Sequence, residues 1–307
     1  MKVDVIIPTY KPEERFFEMI GRLEKQTVPV NRIIVMNTEQ KEFEKKTDSK
    51  AFLKAHPKVS LLHLSQSEFD HGGTRNAGIT KSDSDVFLCM TQDALPADDR
   101  LIENLTKALY AQENVAAAYA RQLPEKDCGV LERYTRQFNY PDQSCVKGKE
   151  DIPALGIKTF FCSNVCAAYR REIFDRLGGF VEHTIFNEDM ICAAGAVKAG
   201  YRIAYAADAL VIHSHNYTAW QQFCRNFDLG VSHAQYPEIF ADVPPENEGM
   251  KLVAQTAGYL CRKHPLFLPK LFLHSGMKWM GYRMGKKYEK LPVGLVKRLS
   301  MQKSYWK

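Results

Sequence analysis

A chain of 307 residues with 45% apolar composition can bury a large core, which excludes a predominantly disordered protein and suits one large domain with an appendage or two modest ones. Eight cysteines without a Cys-x-x-Cys pair, and a start at Met1-Lys2-Val3-Asp4 that enters a strand directly, predict reduced thiols in a cytosolic protein without a signal peptide. The net charge of +6 is modest but unevenly placed, because Lys278, Arg283, Lys286, Lys287, Lys290, Lys297, Arg298, Lys303 and Lys307 face a single acid, Glu289.

In chain order, Val3–Ile7 reads as a strand, Phe16, Phe17, Ile20 and Leu23 recur at helical spacing, and Arg32–Met36 is a second strand. Lys41–Ala55 reads as one charged helix, Val59–Leu64 as a third strand and Asp85–Met90 as a fourth, followed by a helical pattern at Leu101, Ile102, Leu105 and Leu109. This alternation predicts a mostly parallel sheet with helices on both faces. Such sheets bind ligands beyond the carboxyl ends of their strands, where Thr9-Tyr10, Asn37-Thr38, Ser65–Gly73 and Thr91-Gln92-Asp93 all fall. Gln122–Ile157 is polar and aperiodic, a long loop or short helices. Phe160–Tyr169 is again apolar, with Cys162 and Cys166 as core residues. Glu188–Ala199 is a small-residue helix, and Ile203–Tyr205 and Leu210–Ile212 are two short strands. Beyond His215 the pattern is helical, interrupted by prolines. The longest apolar candidate, Leu266–Met284, is broken by Pro269, Lys270, His274, Lys278 and Arg283, so it does not read as a membrane span. It suits a helix lying on a membrane surface, apolar side chains on one side and basic ones on the other, or an ordinary amphipathic helix packed on its own domain.

Four features can carry chemistry. Asp93 ends the fourth strand and is either a metal ligand or a helix cap, and Asp98 and Asp99 follow just before the next helical pattern. Phe69–Gly78 lacks the signatures of a P-loop or a dinucleotide fingerprint, yet its Gly72-Gly73 pair leads into a helix whose amides can face an anion, and Arg75 can pair with phosphate. Glu188 and Asp189 open a helix, where acids suit the dipole but one of them can serve as a general base. His213 and His215 follow a strand, and one of them can complete a metal site.

The order of these motifs resembles the inverting family 2 nucleotide-sugar glycosyltransferases of GT-A fold over most of Val3–His215. Val5-Ile6-Ile7-Pro8-Thr9-Tyr10 looks like the first strand and nucleotide-contacting turn, and Asp93 stands at the last acid of the Asp-x-Asp motif. Asn164–Phe180 looks like the acceptor-side segment, and Glu188-Asp189 matches the acidic pair whose aspartate is the base. A narrower resemblance, through Phe69–Asn76, Thr91–Ala94, His213–Tyr217 and Arg225–Gly230, is to bacterial rhamnosyltransferases. Two departures stand out: Asn37 replaces an aspartate that reads the base, and Thr91 replaces the first acid of the metal motif.

The resemblance implies a GT-A domain over residues 1–215 and a helical, basic region over 216–307 for membrane-surface or oligomer contact. It implies Asp189 as base, and Pro8, Thr9, Tyr10, Asn37, Arg75, Asn76, Gln92, Asp93 and Arg225 for the donor nucleotide and diphosphate. Asp93 and His213 would hold Mg²⁺ or Mn²⁺, and Asn164, Glu188 and His215 would lie on the acceptor side. The expected reaction moves L-rhamnose from dTDP-rhamnose to a hydroxyl of a polyprenyl-diphosphate-linked saccharide at the inner face of the cell membrane, in cell-wall or surface polysaccharide synthesis. Alternatives are a UDP-hexose or UDP-HexNAc donor on the same fold, and a non-catalytic glycan- or nucleotide-binding module. A nucleotidyltransferase would need a Gly-rich, Lys-containing signature that Pro8–Pro12 lacks, and no aromatic stacking platform supports nucleic-acid binding.

Overall fold

The computed structural model describes residues 1–306, without the Asn247 side chain, so the basic Lys307 of the tail lies outside the described residues. The chain forms two compact units, Met1–Leu123 with Tyr140–His183 and Glu188–His213, and Pro124–Asn139 with Thr184–Asn187 and Ser214–Lys307. The second unit thus takes in two short segments that lie before the boundary expected at residue 215.

The first unit is built on one sheet of strands β1 (Val3–Tyr10), β2 (Arg32–Thr38), β3 (Val59–Leu64), β4 (Val86–Met90), β5 (Leu95–Pro96), β6 (Val115–Leu123), β7 (Cys145–Lys147), β8 (Cys166–Arg170) and β9 (Arg202–Ile212). Their order is β3-β2-β1-β4-β8-β6-β9-β5, with β7 added to β9. The β3-β2-β1-β4 half is parallel, as expected. Beyond it β8 runs antiparallel to both β4 and β6, so the sheet is mixed where the strand-helix alternation predicted a mostly parallel one. β6, where Ala116, Ala117, Ala118 and Ala120 give little β-propensity, is not revealed by sequence pattern alone, and neither are the short β5 and β7.

Val3, Val5 and Ile7 of β1 with Ile33 and Val35 of β2 pack against Phe16, Met19, Ile20 and Leu23 of the helix Glu14–Leu23. Both faces of β1 and β4 are buried, which is why their sequences are nearly continuous apolar runs. The helix expected over Lys41–Ala55 is two helices, Gln40–Glu44 and Ser49–Ala55, the second capped by Asp48, which accepts from Ala51 N at 2.7 Å. A continuous helix would hold Phe43 and Phe52 on opposite sides, about 13 Å apart along its axis. The break lets their rings meet at 5.5 Å in one aromatic cluster with Phe16 and Phe17. The two strands expected at Ile203–Tyr205 and Leu210–Ile212 are one, because a register shift against β6, from Ala120/Ala206 to Arg121/Leu210, absorbs the intervening residues.

The second unit is helical. Its helix Ala219–Gln235 opens with a capping box between Thr218 and Gln221 and crosses the helix Leu268–Gly285 at backbone contact. A Cβ on Gly281 or Gly285 would be driven into the carbonyls of Phe223 and Phe227, and one on Gly230 into that of Tyr282. Phe223, Phe227, Val231, Val296 and Leu299 form the core of this unit. The glycine face of Leu268–Gly285 is therefore the packed one. Phe272, Leu273, Trp279 and Met280 of the same helix are exposed, at 59%, 58%, 60% and 43%, with Leu266 just before it at 91%. Among the described residues no helix is long and apolar enough to cross a membrane.

Candidate active site

The parallel half of the sheet brings β1 and β2 out side by side, pairing Thr9 with Asn37 and Tyr10 with Thr38. Both strands turn sharply just beyond, at Lys11 and Glu39, whose φ angles are +51° and +64°. Pro8 is half-buried, Thr9 buried and Tyr10 exposed at the strand end. Gln92 ties the loop after β4 to this edge through a reciprocal pair, accepting from Tyr10 N and donating to Tyr10 O, both at 2.9 Å. Asn37 is fully buried; its amide nitrogen lies 3.0 Å from His63 Nδ1 and its carbonyl oxygen has no partner. A buried acceptor without a donor is costly, so this oxygen suits an incoming N–H. Thr91, at the place of the first acid of the metal motif, also carries a buried, unpartnered hydroxyl.

Asp93 lies at the C-terminal end of β4 and His213 just past β9, with Asp93 Oδ2 and His213 Nε2 3.5 Å apart. Two residues missed in the sequence set this spacing. Arg15 donates from Nε to the Asp93 carbonyl and from Nη2 to the Ile212 carbonyl, each at 2.6 Å, so one guanidinium fixes the backbone of both loops. Gln122 donates to Tyr140 Oη and Ser163 Oγ, which leaves its carbonyl oxygen, 3.0 Å away, to accept from His213 Nδ1. That network assigns the proton to Nδ1 and leaves the Nε2 lone pair toward Asp93. A carboxylate oxygen and an imidazole nitrogen so placed fit a divalent cation. Arg15 looks like any exposed-face arginine of an amphipathic helix, and Gln122 begins the stretch that reads as aperiodic, so no sequence signal marks either.

Glu188 and Asp189 open the helix Glu188–Lys198 after Asn187, whose φ is +68°. Glu188 is buried and pairs with Arg75 Nη1 at 3.0 Å, while Asn164 Nδ2 donates to it at 3.1 Å. Burial alone would raise the Glu188 pKa, but Arg75 and then His71 hold it below the usual range. Asp189 accepts from Asn164 N at 2.9 Å and Met190 N at 2.7 Å. Burial, followed by the Glu188 charge, pushes its pKa up to about 7. A carboxylate so poised near neutral pH is suited to accept a proton.

The structure gives Arg75, Asn76 and the Gly72-Gly73 turn work other than holding an anion. Arg75 is 5% exposed, engaged by Glu188, and donates to His71 O at 2.7 Å. Asn76 donates to Phe180 O and accepts from Phe180 N. The Gly73 amide is taken by the Asp70 cap at 2.6 Å, and Gly72 lies where a Cβ would be driven into the Val181 carbonyl. Asn164, buried, positions both carboxylates of the acidic pair. Arg225 and His215 belong to the second unit, Arg225 above the Phe186 ring at 4.7 Å and the His215 ring 5.0 Å from that of Tyr217.

Glu188→Gln is expected to cost about 3–5 kcal/mol, because it leaves the Arg75 guanidinium buried without its counter-charge. It also removes the negative neighbour of Asp189, so the Asp189 pKa falls. Chemical denaturation checks the first effect and a pH titration of Asp189 by NMR the second.

Residues 4–178 match the family model described as Glycosyl transferase family 2. The O-antigen chain rhamnosyltransferase RfbN of Salmonella typhimurium is 40% identical over all of this chain and 96% of its own length, and WbaN of Salmonella anatum is 40% identical over 98% of this chain and 95% of its own. The fold is similar to that of a mannosyltransferase from Pyrobaculum calidifontis in complex with GDP-Man and Mn²⁺, with TM-score 0.57, 18% identity, and coverage of 99% of this chain and 84% of that one. It is also similar to Staphylococcus aureus TarS 1–349, with TM-score 0.55, 16% identity, and coverage of 99% and 85%. A GT-A sheet, an acid poised near neutrality and an Asp-His pair that suits a divalent ion agree with these matches, and the chain belongs to glycosyl transferase family 2.

Proposed function

We propose that this enzyme transfers L-rhamnose from dTDP-rhamnose, with inversion, to a hydroxyl of a polyprenyl-diphosphate-linked saccharide during O-antigen assembly. The observation that carries the chemistry is Asp189, a carboxylate held by two backbone amides with its pKa pushed up to about 7. The 40% identity to two O-antigen chain rhamnosyltransferases over 96% and 95% of their lengths supports the sugar and the pathway.

Asp189 takes the proton of the acceptor hydroxyl as that oxygen attacks the anomeric carbon from the face opposite the departing nucleoside diphosphate. Asn37 receives the thymine N3–H on its unpartnered carbonyl oxygen, and Pro8, Thr9 and Tyr10 line the edge beside it. Asp93 and His213 would hold Mg²⁺ or Mn²⁺, and the imidazole would favour Mn²⁺. Such an ion, when bound, offsets the charge growing on the diphosphate. With Thr91 in place of an acid, the site would bind an ion weakly without nucleotide, whose phosphate oxygens would supply further ligands. Gln92 orders the edge, Arg225 supplies positive charge toward the diphosphate, and His215 contacts the acceptor. The exposed Leu266, Phe272, Leu273, Trp279 and Met280, with Arg283, Lys286 and Lys287 following in the same region, dock the enzyme on an anionic bilayer.

The test is a donor screen with dTDP-rhamnose, UDP-hexoses, UDP-HexNAc and GDP-mannose in the presence of Mg²⁺ or Mn²⁺, scored by nucleotide release. At least a tenfold preference for dTDP-rhamnose is expected. A preference for a UDP sugar overturns the donor while leaving the base assignment intact.

A further inference from the structure

Within the second unit lies a cavity of about 940 Å³, open to solvent, between the helices Val130–Asn139, Ala219–Gln235, Glu246–Lys263 and Leu268–Gly285. This is at the upper end of the range for small-molecule sites. Its walls are apolar, with Val253, Ala257 and Leu271 among the lining residues, and its rim carries Met250, Phe272 and Trp279, which are 65%, 59% and 60% exposed. The rim thus shares Phe272 and Trp279 with the exposed apolar stripe. An exposed apolar patch that continues into a cavity marks a ligand-binding groove or a membrane contact site.

The charges select which aliphatic group. Lys270, His274 and Lys278 all line the cavity and recur every four residues, so they stack along one face of a helix whose sequence, Leu268–Gly285, contains no acid. The lysines supply the charge, because burial and these two neighbours hold the His274 pKa below its usual value, leaving it a neutral hydrogen-bonding group. The acids of the lining, Asp127, Glu132 and Glu246, lie on other segments, and Glu132, whose charge is the strongest one felt by Lys278, is paired with Arg136 at 2.6 Å. His215, Asn216 and Tyr217, which follow His213 in the chain, also line the cavity.

We propose that this cavity binds the prenyl chain of a polyprenyl-diphosphate lipid, with the Lys270–His274–Lys278 row meeting its phosphates. The inference rests on the reading of the acceptor as lipid-linked and assigns the lipid a site.

Isothermal titration of the full chain with farnesyl diphosphate, below its micellar concentration and without donor, tests it. Farnesyl diphosphate should bind at least tenfold more tightly than inorganic pyrophosphate. Ala257→Trp, which fills the cavity, and Lys270→Gln/Lys278→Gln should each weaken it at least tenfold while release of nucleotide from the donor is kept. If Ala257→Trp does not fold, Gly276→Leu replaces it, because a Cβ at Gly276 meets open space. Hydrogen exchange on the wild-type protein should show protection by farnesyl diphosphate within Glu246–Lys263 and Leu268–Gly285. Equal binding of pyrophosphate, unaltered binding by the filled variant, or a dimer that farnesyl diphosphate dissociates would overturn the proposal. Absence of binding with donor turnover intact removes the lipid site alone, whereas binding without turnover of dTDP-rhamnose removes the donor reading alone.

Discussion

Asp189→Asn lowers transfer by about 10²- to 10⁴-fold, the range that a positioned general base contributes. The side chain keeps its shape, but its two oxygens now accept from Asn164 N and Met190 N, and an amide has only one oxygen to offer. One backbone donor is then left facing an NH₂ group, so the variant should also lose about 1–3 kcal/mol of stability. Melting and donor-binding measurements separate that loss from the catalytic one, and transfer near the wild-type rate in a folded variant would remove Asp189 as the base. The pH profile follows from the same carboxylate. Its pKa is raised to about 7, so below that pH the base is increasingly protonated and kcat should fall toward tenfold per unit. The Glu188→Gln variant should carry this acid limb to lower pH.

Asp93→Ala abolishes metal dependence and most of the activity. Its carboxylate oxygen and His213 Nε2 are two protein donors brought together at 3.5 Å, and each variant removes one of them. Catalytic ions are worth several kcal/mol to a transition state that accumulates charge on phosphate, which corresponds to a loss of at least about 10³-fold. Titration with Mn²⁺ in the presence of dTDP, followed by electron paramagnetic resonance, should show binding by the wild type and at least tenfold weaker binding by Asp93→Ala and by His213→Ala. Wild-type transfer that EDTA leaves unchanged would dismiss the metal whatever the variants do.

What could be read in the sequence, and what could not, divides by the range of the forces involved. The strands β1 to β4 and the helix Glu14–Leu23 announce themselves through apolar runs and helical spacing, because their burial is decided by neighbouring residues. The antiparallel insertion of β8, the alanine-rich β6 and the fusion of two expected strands into β9 depend on pairing partners distant in sequence, which no local pattern encodes. The same holds at the site. Asp93, His213, Glu188 and Asp189 are marked by residue type and order. The partners of Arg75 lie elsewhere: its guanidinium, which reads as a phosphate ligand, is 113 residues from Glu188 in the chain yet 3.0 Å from it in space. Arg15 and Gln122 act through backbone carbonyls and a ring nitrogen, partners that residue type alone does not announce.

Arg15 also bears on how the enzyme is loaded and emptied. Because its guanidinium joins the carbonyls of Asp93 and Ile212, the separation between these two loops is set by the protein's own hydrogen bonds. Cation arrival then requires little backbone reorganisation. A divalent ion held by Asp93 and His213 would then exchange with the nucleotide without the slow local refolding that a metal-organised loop imposes.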